Sequence, residues 1–322
     1  MRHLRHPRTL TARAALAVAL PALLVAGCGD DAAPAPEDDA LAGVEVVGDD
    51  AAPELEVDTP VTISSTTTEV VDEGDGRVVE EGDLVALDVL AVDGGGGDVL
   101  QTTFGTEQRL VLQADPATTV QGLVSGVVGQ AVGSRVLVGV SPSDFGADAP
   151  GAPTPTAGDG SVLLLVDVLD ASPVLEGPEG DEQPAPEDLP AVTAGEGGDL
   201  SVATPEGEPP ADLRVETLVE GEGEPVEAGD TVVVDYTGVL WSDGSVFDSS
   251  RGEDRPPFSF TLGQGAVIPA WDEGLAGVPV GSRVMIVAPP DQAYGDQETG
   301  SIPPGSTLVF VVDVLAAQST QR

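Results

Sequence analysis

The pentapeptide VGSRV occurs twice, at 132–136 and at 280–284, and the residues around the two copies keep step. EEGDLVALDVL at 80–90 matches EAGDTVVVDYT at 227–237, and VLQTT at 99–103 matches VFDSS at 246–250. VQGLVSGVVGQAVGSRVLV from Val120 runs without a gap beside IPAWDEGLAGVPVGSRVMI from Ile268. VSPSDFG, from Val140, parallels APPDQAYG, from Ala288, with a slip of one residue, and VDVL closes both copies at 166–169 and 312–315. Collinear self-similarity on this scale is the mark of a duplicated unit. The chain therefore has to be two copies of one fold.

Each copy is built from short runs rich in Val, Leu and Thr, punctuated by Gly and Pro. LVALDVLAV, SVLLLVDVL, TVVVDYTGVL, VMIVAP and TLVFVVDVL read as strands joined by turns. Only 269–276, around WDEGLA, reads as a helix, with Asp272 and Glu273 in its first turn, where the helix dipole favours acids. GGGG at 94–97 follows a strand pattern and lacks the Lys and Ser/Thr of a phosphate loop, so it reads as a hairpin loop.

The first residues carry Arg2, Arg5, Arg8 and Arg13, an apolar run over 14–26, then Gly27 and the chain's single cysteine, Cys28. That is the layout of a secretory signal, and its apolar run falls short of the ~20 residues of a spanning helix. Val25-Ala26-Gly27-Cys28 resembles the lipobox of bacterial lipoproteins. The resemblance implies that Cys28 takes a diacylglycerol and that the protein sits on the extracytoplasmic face of the cell membrane, held through its lipid anchor only. A plain signal peptide with an incidental cysteine is the alternative. The expected organisation is a leader over 1–27, an acidic disordered linker over 28–40, a first domain over 41–171, a Pro/Glu/Gly-rich linker over 172–198, a second domain over 199–318 and a tail over 319–322.

Composition removes several function classes. Loss of 1–27 takes away four Arg, both His and no acid, leaving 8 Arg against 56 Asp and Glu, a net charge of −48. Without histidine there is no imidazole base and no His metal ligand, which disfavours hydrolytic triads and most zinc sites. Such acidity repels nucleic acid. The clusters EDD, GDD and GDE lack the alternating oxygen spacing of a calcium loop and read as solvated linker. No metal and no cofactor is expected.

The copies differ in their aromatic residues. Phe104 and Phe145 are the two in the first; the second holds Tyr236, Trp241, Phe247, Phe258, Phe260, Trp271, Tyr294 and Phe310. At matched positions Tyr236 stands against Val89, Phe247 against Leu100, Asp248 against Gln101, Trp271 against Leu123 and Phe310 against Leu164. Core filling alone would ask for similar numbers in both, so the excess points to a binding pocket in the second copy. Phe260 and Trp241 are set apart, as a core and a surface-turn residue.

The run VVDYTGVLWSDGSVFDSS, PFSFTLGQGAVIPAWDEGLAGVPVGSR, AYG and IPPGSTLVFVVDVL, spread over 213–316, resembles the FKBP-type peptidyl-prolyl cis-trans isomerases. The resemblance implies an α+β fold with two FKBP-like domains, each a twisted antiparallel β-sheet wrapped around one short helix, the first of them degenerate. Carried onto this sequence, it makes Trp271 the pocket floor and Tyr236, Phe247 and Phe310 its walls. Asp248 is a polar group inside, and the Tyr294 hydroxyl meets a substrate carbonyl. Phe258, Val267, Ile268 and Ile302 complete the substrate contacts. Ser301 and Ala266 depart from the family pattern, and either Arg255 or Arg251 stands where an arginine pairs with the pocket aspartate. The implied activity is isomerisation of Xaa-Pro bonds by the C-terminal domain. Proline-containing unfolded or secreted polypeptides are the substrates, and a rapamycin-like macrolide is a candidate ligand. A non-catalytic peptide-binding chaperone lipoprotein is the competing reading, and a solute-binding lipoprotein a weaker third.

Overall fold

The computed structural model describes residues 40–145, 160–195, 199–252 and 255–321. In the first module, β1 (Val44–Asp49) and β2 (Ala52–Val57) form a hairpin. There follow β3 (Thr67–Asp72), β4 (Leu84–Asp93), β5 (Val99–Thr102), β6 (Leu110–Gln113), α1 (Gln121–Val127), β7 (Arg135–Val140), α2 (Pro142–Phe145) and β8 (Val162–Ser172). The sheet runs β3-β7-β8-β4-β5, with β6 also on β4. The second module begins with β9 (Gly180–Glu182) and a hairpin of β10 (Val192–Ala194) and β11 (Leu200–Val202). It continues through β12 (Arg214–Gly221), β13 (Asp230–Leu240), β14 (Val246–Ser249), β15 (Phe258–Thr261), α3 (Pro269–Gly274), β16 (Arg283–Ala288) and β17 (Leu308–Ser319). Its sheet runs β14-β13-β17-β16-β12-β9, with β15 on β13. Apart from β9 the two topologies are the same, and all these pairings are antiparallel.

The central strands are apolar on both sides. Every residue of β4 is buried, Asp88 and Asp93 included, and a strand buried along its whole length needs cover on both faces of the sheet. The inner face packs under α1 or α3, around Leu123, Val138 and Leu164 in one module and Trp271, Ile286 and Phe310 in the other. The outer face is covered by the hairpin that precedes each sheet. Val44, Val46, Leu55 and Val57 lie on Leu90, Leu137 and Leu163; Leu189, Val192, Leu200 and Val202 lie on Val239, Met285 and Val309. The described part of the expected linker, residues 172–195, thus contributes to the fold. It carries β9 and the first half of a covering hairpin, and its few apolar residues were masked by the Pro and Glu between them. The same cover explains why Trp241 is buried rather than a surface-turn residue, its Nε1–H donating to the Gly207 carbonyl. The leader, Cys28 and the linker up to residue 39 lie outside the described residues.

The resemblance implies one short helix in each copy, but the residues of α1 alone do not suggest it, because glycine lowers helix propensity by about 1 kcal/mol and two stand within it. Both are there for contact. A Cβ on Gly122 would lie 2.2 Å from Val140 Cγ1, and one on Gly126 2.5 Å from Val138 Cγ2, so the helix rests directly on β7.

The duplicated pentapeptide makes one and the same knot in both modules. The Val132 and Val280 carbonyls accept from the N–H of Gly76 and Gly223, at 3.0 and 3.1 Å. Gly133 and Gly281 take φ of 92° and 90° and donate to Val168 and Val314. The Ser134 and Ser282 hydroxyls accept from the N–H of Gly74 and Gly221, both at 2.9 Å. Arg135 forms a two-pronged pair with Asp167, at 2.6 and 2.7 Å, and Arg283 one with Asp313, at 2.6 and 2.8 Å. These aspartates belong to the repeated VDVL, so the two repeated phrases are the halves of one junction. In the second module the fully buried Asp313 also receives Arg251 Nη2 at 2.5 Å.

The modules touch. Leu84 packs with Val233, Leu315 and Ala316, and Val111, Val174 and Leu175 join them. Leu175 N–H donates to the Leu315 carbonyl at 3.1 Å, Arg109 N–H to Thr320 at 2.8 Å, and the Gln318 amide to Asp170 at 2.9 Å. Within the expected tail Thr320 is therefore held, also donating to the Gly229 carbonyl at 2.6 Å.

Candidate active site

Five elements of the second module each deliver one aromatic side chain to the same place. Trp271 comes from α3, whose entry is fixed by Pro269 in its first turn and by Asp272, which accepts from the N–H of Gly263 and Gly265 at 2.8 and 3.0 Å. Around the buried Trp271 ring, Tyr236 of β13 stands at 5.1 Å and 85°, Phe310 of β17 at 5.4 Å and 86°, and Phe258 of β15 at 6.2 Å and 73°. Phe247 of β14 meets Phe310 at 5.5 Å and 87°. Edge-to-face pairs of this kind set the partial positive rim of one ring against the negative face of the next. The result is an apolar cup with a rigid wall. Gly238 makes room for it: a Cβ there would lie 2.5 Å from Phe247 Cζ.

Phe260 lies a layer below, stacked on Phe258 at 5.5 Å and 5.6 Å from Trp271, as a core residue should. Val267 and Ile268 are half-buried against the same cluster, and Ile302 is buried beside it. Tyr294 follows the 3-10 turn Pro290–Gln292 and is 37 % exposed. All the residues expected at the pocket are brought to this one module, though not all to its interior.

Asp248 is the main departure. It was expected inside, and it is exposed, at the rim. There it accepts the Tyr236 hydroxyl at 2.5 Å and the N–H of Ser249 at 2.9 Å. A short β14 leaves alternate side chains outside, and this carboxylate keeps its hydration while holding the phenol in place. Burial first, and then the hydrogen bond and charge of Asp248, push the Tyr236 hydroxyl well above the usual phenol range. Of the two candidate arginines, Arg255 donates to the Ser249 carbonyl at 2.6 Å, while Arg251 is buried and belongs to the Asp313 junction. The Arg251 role was not legible because its partner lies 62 residues away.

The first module shows the same place filled. Val89, Leu100, Leu123 and Leu164 belong to an ordinary aliphatic core, together with Phe145. Phe145 matches Tyr294 in the FG/YG pair, yet it is 3 % exposed. It belongs to the core of its module, where Tyr294 stays exposed.

Trp271, Tyr236, Phe247, Phe258 and Phe310 thus form one aromatic cluster on an antiparallel sheet crossed by one short helix, the kind of site that holds an apolar ring. Residues 222–315 match the profile of FKBP-type peptidyl-prolyl cis-trans isomerases. The chain is 46 % identical over 114 residues to an FK506-binding protein of Streptomyces anulatus, covering 35 % of this chain and 91 % of that one. It is 44 % identical over 108 residues to the peptidyl-prolyl cis-trans isomerase Fkbp12 of Drosophila melanogaster, covering 33 % and 98 %. Among solved structures, the three FKBP domains of wheat FKBP73 are similar over 79 % of this chain and 95 % of that one, at 21 % identity and a TM-score of 0.32. The chain belongs to the FKBP-type peptidyl-prolyl cis-trans isomerases, and its C-terminal module is the isomerase.

Proposed function

We propose that the second module speeds rotation about Xaa-Pro bonds in polypeptides outside the cytoplasmic membrane, with Cys28 carrying the lipid that keeps the protein there. Rotation is slow because it breaks amide resonance, a barrier of ~18–20 kcal/mol for peptide bonds. No proton has to move and no bond has to break. A proline ring seated on Trp271 between Tyr236, Phe247 and Phe310 leaves its amide in a site poor in water. The planar amide, with more charge separation, is disfavoured there relative to the twisted one, so binding energy goes to the transition state. Tyr294, exposed at the mouth, is the hydroxyl available to the substrate carbonyl. Tyr236 is committed to Asp248 and acts by holding the wall.

The observation that carries this reading is the convergence of five rings on one cup in the module that matches the family, beside a twin in which the same place is filled. The same cup suits a macrolide of the rapamycin type, a reading supported by the names of the FK506-binding relatives. The test is the cis-to-trans exchange rate of a short Leu-Pro peptide measured by NMR with the full chain, with and without rapamycin. Acceleration abolished by the drug supports the proposal; a peptide that binds without acceleration would make the cup a clamp. For the anchor, Cys28→Ala should move the protein from the membrane fraction to the soluble fraction, and unchanged fractionation would refute lipid attachment.

A further inference from the structure

The two sheets differ at one edge. In the second module β12 lies between β16 and β9, and β9 pairs antiparallel through Val219↔Glu182, Glu220↔Asp181 and Gly221↔Gly180. Gln183 N–H extends the pairing to the Leu218 carbonyl at 2.9 Å. In the first module β3 is the counterpart of β12. Both strands bulge at the same point, at Val71 and Leu218, and the N–H of Gly221 at the end of β12, like that of Gly74 two residues past the end of β3, donates to the serine of VGSRV. Among the described residues, β3 pairs with β7 alone. Glu69, Val70, Val71, Asp72 and Glu73 are exposed there, Val70 at 41 % and Val71 at 38 %. An open edge with its row of unpaired backbone groups is a template for another extended chain.

Charge selects the occupant. Glu69, Asp72, Glu73 and Asp75 line this edge, the nearby Arg77 is paired with Asp83 and Glu80, and the whole chain carries −44. We propose that the outer edge of β3 is a strand-acceptor site for an extended basic polypeptide segment, which adds antiparallel along Val71–Gly74 as β9 does along β12. The first module then holds client chains by their backbone at a place separate from the aromatic cup. Its lost cup and its open edge are two sides of one division of labour.

The test uses the full chain and an acetylated, amidated heptapeptide that alternates Arg with Val and Thr and contains no proline. Binding is followed by fluorescence anisotropy, and backbone protection by amide hydrogen exchange. The expected result is binding with at least tenfold added protection of the Glu73 amide, and at least tenfold weaker binding in 0.5 M salt than in 0.05 M. Glu73→Pro, at the position matching Glu220, should weaken binding at least tenfold and leave the exchange rate of a Leu-Pro peptide unchanged. Glu69→Arg with Asp75→Arg should weaken it similarly without touching the backbone, which covers the case in which the proline disturbs folding. Absence of binding at millimolar peptide, protection that falls on the cup instead, or affinity indifferent to these substitutions overturns the proposal. So does a Glu73 amide already protected before peptide is added, since the edge would then be occupied by other means.

Discussion

Gly238→Ala should cost both activity and stability, and a second substitution should restore only the latter. Gly238 lies on β13 opposite Phe310 on one side and Asp248 on the other. Its new Cβ would stand 2.5 Å from Phe247 Cζ and 2.8 Å from Cε2, so the ring has to retreat by about 1 Å to reach ordinary contact, an overpacking that typically costs about 1–3 kcal/mol. Relief of glycine's backbone entropy returns about 0.4–1 kcal/mol, leaving a net loss of about 1 kcal/mol. The Phe247–Phe310 edge-to-face pair is worth about 0.5–1.5 kcal/mol. If that geometry matters in the transition state, kcat/KM falls roughly three- to tenfold, at 1.36 kcal/mol per decade. The first module has already solved the conflict, with Ala91 at this place and Leu100 for the ring. Gly238→Ala with Phe247→Leu should thus recover stability with a favourable coupling of about 1 kcal/mol while activity stays low. Urea unfolding and Leu-Pro exchange NMR read the two quantities. A Gly238→Ala protein with full activity, or a double variant no more stable than the sum of its parts, would refute the steric argument.

Arg283→Ala leaves the buried Asp313 with Arg251 alone, and should destabilise the second module by about 3 kcal/mol, as removal of one member of a buried pair does; Arg135→Ala should cost less, because Asp167 is 19 % exposed, and urea titrations of both check the order. Gly221→Ala would set a Cβ 2.3 Å from the Val280 carbonyl oxygen, a backbone atom with no room to yield, so a loss above about 2 kcal/mol is expected; a thermal melt unchanged from wild type would contradict it. Tyr236 is held neutral in the fold, whereas an unfolded tyrosine ionises near pH 10. Its contribution to stability is therefore whole below about pH 10 and lost as the pH rises above it. Tyr236→Phe should remove that part of the alkaline loss, and identical alkaline unfolding curves would count against the burial of the phenol.

The doubling, the strands and the gathering of aromatic residues in the second copy were readable because they are statements about local pattern and about differences between matched positions. LVALDVLAV declares a strand whatever surrounds it, and Trp271 against Leu123 declares a changed role. Contacts between distant segments were not readable. Leu189, Val192, Leu200 and Val202 look like stray apolar residues among Pro and Glu until the outer face of the sheet is seen to need cover. The exposure of Asp248 depends on where β14 ends, and the burial of Arg251 on Asp313 across the sheet. Gly122 and Gly126 argue against a helix by propensity and are required in one by packing. There tertiary contact outweighed a local preference of about 1 kcal/mol.

The central claim is that the aromatic cup of the second module alone carries the isomerase activity. The most direct measurement writes the first module's residues into it, Trp271→Leu with Phe310→Leu, in the full chain, and compares the cis-to-trans exchange rate of a Leu-Pro peptide with wild type, circular dichroism confirming the fold. The account predicts a rate indistinguishable from the uncatalysed one. Acceleration retained in a folded double variant would place the activity elsewhere in the chain and contradict it.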